Sequence, residues 1–296
     1  MGLERAESAR GLRIGAGALA GLSALVFGVI CWIFLTTATG QRIDEIAFDG
    51  SALGRTKLWR FADPVLDVVS IGFVVLVLII AATVAILRQR WLLIVQVGIV
   101  LVGANFTTQL LKRLVDRPEL GIFGTAGTHP GMNTLPSGHT TVAMTAAIAL
   151  LFVATPRLRS PVAIIGALYA AGTGVSTLVG GWHRASDVVA AMLVTGVFAG
   201  LALLLDRPRP RGARGGSAAL IILGALGILA AIVSLWALIT IWQSLGIHPV
   251  YDLVSNRTGL TRRDLLTAYS GGALGCVSVA CAIVAAVVAL LQQRGD

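Results

Sequence analysis

Apolar runs long enough to cross a bilayer alternate along this chain with short polar segments. The first runs over residues 14–41, and others follow over about 64–87, 91–111, 139–155, 162–181, 187–205, 217–243 and 265–291. A helix rises about 1.5 Å per residue, so about 20 residues span the hydrocarbon core. The pattern predicts an all-α fold, a polytopic membrane helix bundle of eight spans. It divides into a six-span core over 1–206, a basic linker over 207–216 and a two-span addition over 217–296. No internal repeat makes the addition a second copy of anything before it.

The polar segments differ in character. Residues 42–63 mix Asp44, Glu45 and Asp49 with Arg55, Lys57 and Arg60, and read as a loop. An amphipathic piece of it lies on the membrane, with Trp59 and Phe61 as interfacial anchors. Asp67 reads as a solvated carboxylate in the first turn of the second span. Asn105, Thr107, Thr108 and Gln109 near the exit of the third span face the bundle or the mouth of a site.

Composition agrees with this class: 56% of residues are hydrophobic, 12% are charged and the mean hydropathy is +0.86, which excludes a soluble domain. The first apolar run is too long for a signal-peptide core of about 7–15 residues. A net charge of +9 does not point to nucleic acid, because the arginines are scattered over short loops and form no stripe. They are better assigned to topology and lipid headgroups. Cys31, Cys276 and Cys281 all lie in apolar runs and build no disulfide framework.

Three polar clusters carry candidate chemistry. The first is residues 135–140, Leu-Pro-Ser-Gly-His-Thr, placed directly before an uncharged run. Pro136 and Gly138 mark a helix start there. The amides of Ser137, Gly138 and His139 at such an N-terminus cradle an anion, and a simple Ser137 N-cap is the plainer alternative. The second cluster, residues 182–187, again opens an apolar run. His183 and Asp187 are four apart, so a helical turn sets the carboxylate beside the imidazole and fixes its tautomer. The third holds the cations Lys112, Arg113 and Arg117. An anion cradle, an oriented histidine and clustered cations together suggest phosphoryl chemistry.

Over about residues 60–206 these clusters resemble the type 2 phosphatidic acid phosphatase superfamily. Its motifs run Lys, six residues, Arg-Pro; then Pro-Ser-Gly-His; then Ser-Arg, five residues, His, three residues, Asp. The second is intact at 136–139, and Ser176, His183 and Asp187 keep the spacing of the third. Thr177 stands where the third motif has its arginine. Lys112 opens the first motif, but its Arg-Pro position reads Glu119-Leu120.

The resemblance implies that His183 attacks phosphorus to form a phosphohistidine, with Asp187 holding its ring. It implies that His139 protonates the leaving group and then activates water. Lys112, the Ser137 hydroxyl and the amides of residues 137–139 stabilise the phosphate, and the chemistry needs no metal and no cofactor. Two arginines are expected to replace the missing ones. Arg117 lies five residues beyond Lys112, about 140° away around a helix, so it reaches the site only if the helix breaks, which Pro118 favours. Arg184 turns inward from a loop ahead of Asp187. His129 and His248 read as surface histidines.

With the N-terminus cytoplasmic, eight spans place 12 of the 23 Lys and Arg on the cytoplasmic side. Setting aside the motif-region cations Lys112, Arg113, Arg117 and Arg184 leaves 7 on the other side. The balance predicts a plasma-membrane protein with cytoplasmic termini and an extracytoplasmic site. The expected partners are the bilayer and a membrane lipid phosphate. Polyprenyl diphosphate is favoured, with phosphatidic acid and phosphatidylglycerol phosphate as other candidates. A lipid phosphotransferase would use the same residues and differ in acceptor-dependent product release. A non-catalytic binder or transporter would hold lipid without releasing phosphate. A metal-dependent hydrolase using His129, His139, His183 and Asp187 would be chelator-sensitive. The last two spans are compatible with a homo-oligomer, with substrate access or with another partner.

Overall fold

The structure is a computed structural model that describes residues 2–53, 55–68, 71–118, 120, 133–206, 215–247 and 260–293. These contain helices and no strand. In chain order they are α1 (Gly2–Thr36), α2 (Ala38–Ala52), α3 (Arg55–Val68), α4 (Ile71–Leu87) and α5 (Trp91–Gly98). A π-helical turn over Ile99–Gly103 leads into α6 (Ala104–Leu114), followed by α7 (Gly138–Val153), α8 (Pro156–Val179), α9 (Ala185–Leu204), α10 (Ser217–Ile247) and α11 (Arg262–Gln293). Among the described residues, six helices are long and apolar enough to cross a membrane, α5 through α6 counting as one, and Val75–Leu87 and Gly138–Val153 are shorter apolar helices. The polytopic bundle expected from hydropathy is present. Glu119, His129, His248 and the basic run 207–214 lie outside the described residues, as does the Asp67 side chain.

Local chemistry explains most boundaries. Thr37 starts α2, its hydroxyl accepting from the Gly40 amide at 3.0 Å. Pro156 opens α8 at a position where its missing N–H costs nothing. Helix α6 stops at Leu114, because Val115 takes an extended backbone; the helix therefore breaks ahead of Arg117 and Pro118, as the proline requires. Gly181 reverses the chain after α8 at φ +68°, a conformation L side chains rarely adopt, and the Arg55 guanidinium occupies the space a β-carbon would need.

One large core joins α1, α4, α5 with the π-helical turn, α7, α8, α9 and the two C-terminal helices. Helix α11 packs on α10, α2, α8 and α9, and buries Cys276, Ala280, Val284, Val287 and Val288 within that core. The three cysteines are free. At one end of the bundle Arg88 donates to the Val153 carbonyl at 2.9 Å and Gln292 to the Gly215 carbonyl at 3.2 Å. The arginine-rich turns and the end of α11 therefore share one end, opposite the motif residues.

Residues 42–63 depart from the expected loop. They form most of α2 and the first part of α3, and Gln41 to Phe48 are buried throughout. An acidic and basic sequence enters the bundle because its charges find partners there, described next.

Candidate active site

The residues of the second motif sit where α7 begins. Ser137 is the N-cap, and its fully buried hydroxyl oxygen accepts from the Thr140 hydroxyl at 3.0 Å and from the Thr140 amide at 3.4 Å. The Ser137 amide donates to the Asp187 carbonyl at 2.9 Å. Of the three amides expected to cradle an anion, that one is already committed. Gly138 and His139 supply the first-turn N–H groups that a helix does not use itself.

Lys112 reaches this point along a polar seam between α6 and α7. Asn105 Nδ2 donates to Thr145 Oγ1 at 3.2 Å, and the Thr108 and Thr141 hydroxyls pair at 3.0 Å. Residues 105, 108 and 112 share one helix face. Lys112 Nζ accordingly ends close to Gly138, 3.7 Å from where a β-carbon would stand. A β-carbon at 138 would stand in ordinary van der Waals contact with the ammonium.

The third motif is organised by Asp187. Its Oδ2 accepts from Thr134 Oγ1 at 2.6 Å and from the Arg184 amide at 3.0 Å, and lies 3.3 Å from His183 Nδ1. Asp187 is wholly buried and His183 is 8% exposed. A carboxylate held by two other donors fixes Nδ1 of His183 as its hydrogen-bonding nitrogen, leaving Nε2 with a lone pair. His139 lies within electrostatic reach of both His183 and Lys112. Its ring also lies 5.5 Å from that of Trp182, which meets Trp59 of α3 edge-on at 5.7 Å. Trp59 therefore serves the site's rim, whereas Phe61 remains exposed as an interfacial residue would.

The two arginines expected to replace the missing ones converge on α2. Arg117 Nη2 lies 3.6 Å from Asp44 Oδ2 and 3.9 Å from Glu45 Oε1. Arg184 does turn inward, but its Nε donates to Glu45 Oε1 at 2.5 Å and its Nη2 pairs with the same oxygen. Its guanidinium also lies over the Phe48 ring, 5.4 Å from the centroid. Burial works against the Arg184 charge; Glu45, Asp44 and Asp187 outweigh it and hold the group above its ordinary value. Asp44 is anchored in turn by Ser186, whose hydroxyl and amide donate to its two oxygens at 2.5 and 3.3 Å. Burial pushes the Asp44 carboxyl up to about 6 against the opposing pull of Arg117.

The contacts above connect the expected residues Lys112, Ser137, Gly138, His139, His183, Arg184, Asp187 and Arg117 with Asp44, Glu45, Thr134 and Ser186, which the motif reading did not single out. Thr134 and Ser186 were legible as neighbours of the motifs. The acids gave no signal, because almost every position around them is buried and no polar face alternates with an apolar one.

No curated protein and no solved structure matches the chain. Residues 91–211 match the family described as the PAP2 superfamily, a segment that holds Lys112 and all of the second and third clusters. The segment similar to the PAP2 superfamily thus lies within a bundle of membrane-length helices.

Proposed function

We propose that the protein is an integral-membrane lipid phosphatase that works through a phosphohistidine. The observation that carries this reading is the His183–Asp187 contact, made by a carboxylate that Thr134 and the Arg184 amide hold in place. Nε2 of His183 attacks phosphorus while the bond from phosphorus to the lipid-side oxygen breaks. His139 gives its proton to that leaving oxygen. Water then attacks the phosphohistidine, His139 takes a proton from it, and His183 departs from phosphorus as inorganic phosphate forms. Lys112 and the first-turn amides of α7 stabilise the charge that builds on the phosphoryl oxygens.

The site lies at the bundle end away from the arginine-rich turns, which supports an extracytoplasmic orientation with cytoplasmic termini and eight crossings. A lipid can keep its chain in the bilayer while its phosphate reaches the helix ends. An outward site favours polyprenyl diphosphate, the carrier form left when wall precursors are delivered, over phosphatidic acid and phosphatidylglycerol phosphate.

The test is phosphate release by the purified protein in detergent from a polyprenyl diphosphate and from phosphatidic acid, with chelator present. Release by the wild type and none by His183→Ala is the expected result, and the ratio of the two rates sets the substrate class. Release only with an added acceptor lipid or sugar would make the protein a phosphotransferase. Lipid binding without any release would make it a binder.

A further inference from the structure

Asp44 and Glu45 are the acids of this site that the reaction above leaves unused. They stand on α2, outside the segment that matches the family, yet they face the two guanidinium groups nearest the motifs. A buried carboxylate beside a phosphate site weakens phosphate binding by like-charge repulsion, so its presence calls for a reason. One reason is folding: a buried guanidinium without a counter-charge is strongly unfavourable, and an acid partner offsets that cost.

The two arginines are held differently. Arg184 spends Nε and Nη2 on Glu45. Arg117 sits at 3.6 and 3.9 Å from the carboxylates, too far for a hydrogen bond. Both of its Nη atoms are buried without a hydrogen-bond partner, and so is Glu45 Oε2. Desolvated donors of this kind gain most from an acceptor, and phosphate oxygens suit a guanidinium in geometry as well as charge. Asp44 cannot simply swing aside, because Ser186 holds both of its oxygens.

We propose that Asp44 and Glu45 compete with phosphate for the guanidinium groups of Arg117 and Arg184, so that α2 sets how tightly the site holds phosphate and how readily the product leaves. This rests on the phosphatase reading. In it, Arg117 is the donor that exchanges between carboxylate and phosphate, and Arg184 stays mainly with Glu45. The acids preorganise both side chains and prevent a cluster of uncompensated cations from trapping the dianionic product.

Inorganic phosphate is titrated onto the purified full-length protein in detergent, with binding read by 31P NMR and by the phosphate-dependent shift of thermal unfolding. Asp44→Asn and Glu45→Gln are expected to bind phosphate about tenfold or more tightly than the wild type, with product inhibition of turnover at correspondingly lower phosphate. Equal or weaker binding by both variants overturns the proposal and leaves the acids as struts. Glu45→Asp keeps the charge but withdraws it from Arg184 by one methylene; its phosphate affinity is expected to lie in between, and it decides the matter if the neutral variants do not fold. Absence of phosphate release from either lipid by the wild type overturns the phosphatase reading itself, a result distinct from unchanged phosphate affinity in the variants.

Discussion

Asp187 illustrates how much of this site rests on single oxygen atoms. One of them, Oδ2, serves Thr134, the Arg184 amide and His183, and so ties the loop before α7 and the start of α9 to the proposed nucleophile. Asp44 has a similar anchoring role in the neighbouring layer, with a titration of its own. Its carboxyl is raised to about 6, chiefly by burial, against an ordinary value near 3.8. The folded state therefore holds that proton more tightly than the unfolded chain does between these values. The contribution to stability is full below about pH 4 and is lost as pH rises through about 6, by about 2–3 kcal/mol. Asp44→Asn is expected to flatten that slope, measured as the thermal midpoint in detergent between pH 4 and 7. At this scale the sequence displayed the histidines and Asp187, because they punctuate apolar runs. It could not display Asp44 and Glu45, because an acidic pair with no visible partner looks the same on a surface loop as in a buried ion network.

At the scale of elements, hydropathy located the long helices well, because an uncharged run of bilayer length has few other uses. What it could not supply was the helical character of residues 38–52, whose partners Arg117 and Arg184 are far away in sequence. The seam between α6 and α7 was half legible: Asn105 and Thr108 announced a polar face, and its destination at Lys112 and Gly138 needed the packing. Close helix contacts were also hidden. At Gly200 on α9 an added β-carbon would lie 2.6 Å from the Ala16 carbonyl oxygen and 2.7 Å from the Ala20 nitrogen of α1. Backbone atoms cannot yield as side chains do, so Gly200→Val is expected to separate the two helices and destabilise the fold by about 1–3 kcal/mol. Thermal unfolding in detergent measures this, and an unchanged midpoint would contradict the packing of α1 on α9.

On the scale of the whole molecule, the two C-terminal helices share the core with the rest. Helix α11 packs on α2 as well as on α8 and α9, and so backs the helix that carries the acid pair. A chain ending at residue 206 would expose the faces that Cys276, Ala280, Val284 and Val287 now cover. It is expected to lose monodispersity on gel filtration in detergent, together with phosphate release; a stable, active truncation would make the last two helices dispensable. The tryptophans carry a different kind of consequence. Of the six, Trp32, Trp91, Trp236 and Trp242 lie on the exposed faces of helices, and Trp59 and Trp182 meet edge to face near the motif residues, the latter beside His139. Protonated imidazole quenches indole emission, so proton uptake by His139 is expected to dim Trp182, and tryptophan fluorescence would then follow the acid–base cycle proposed for this histidine.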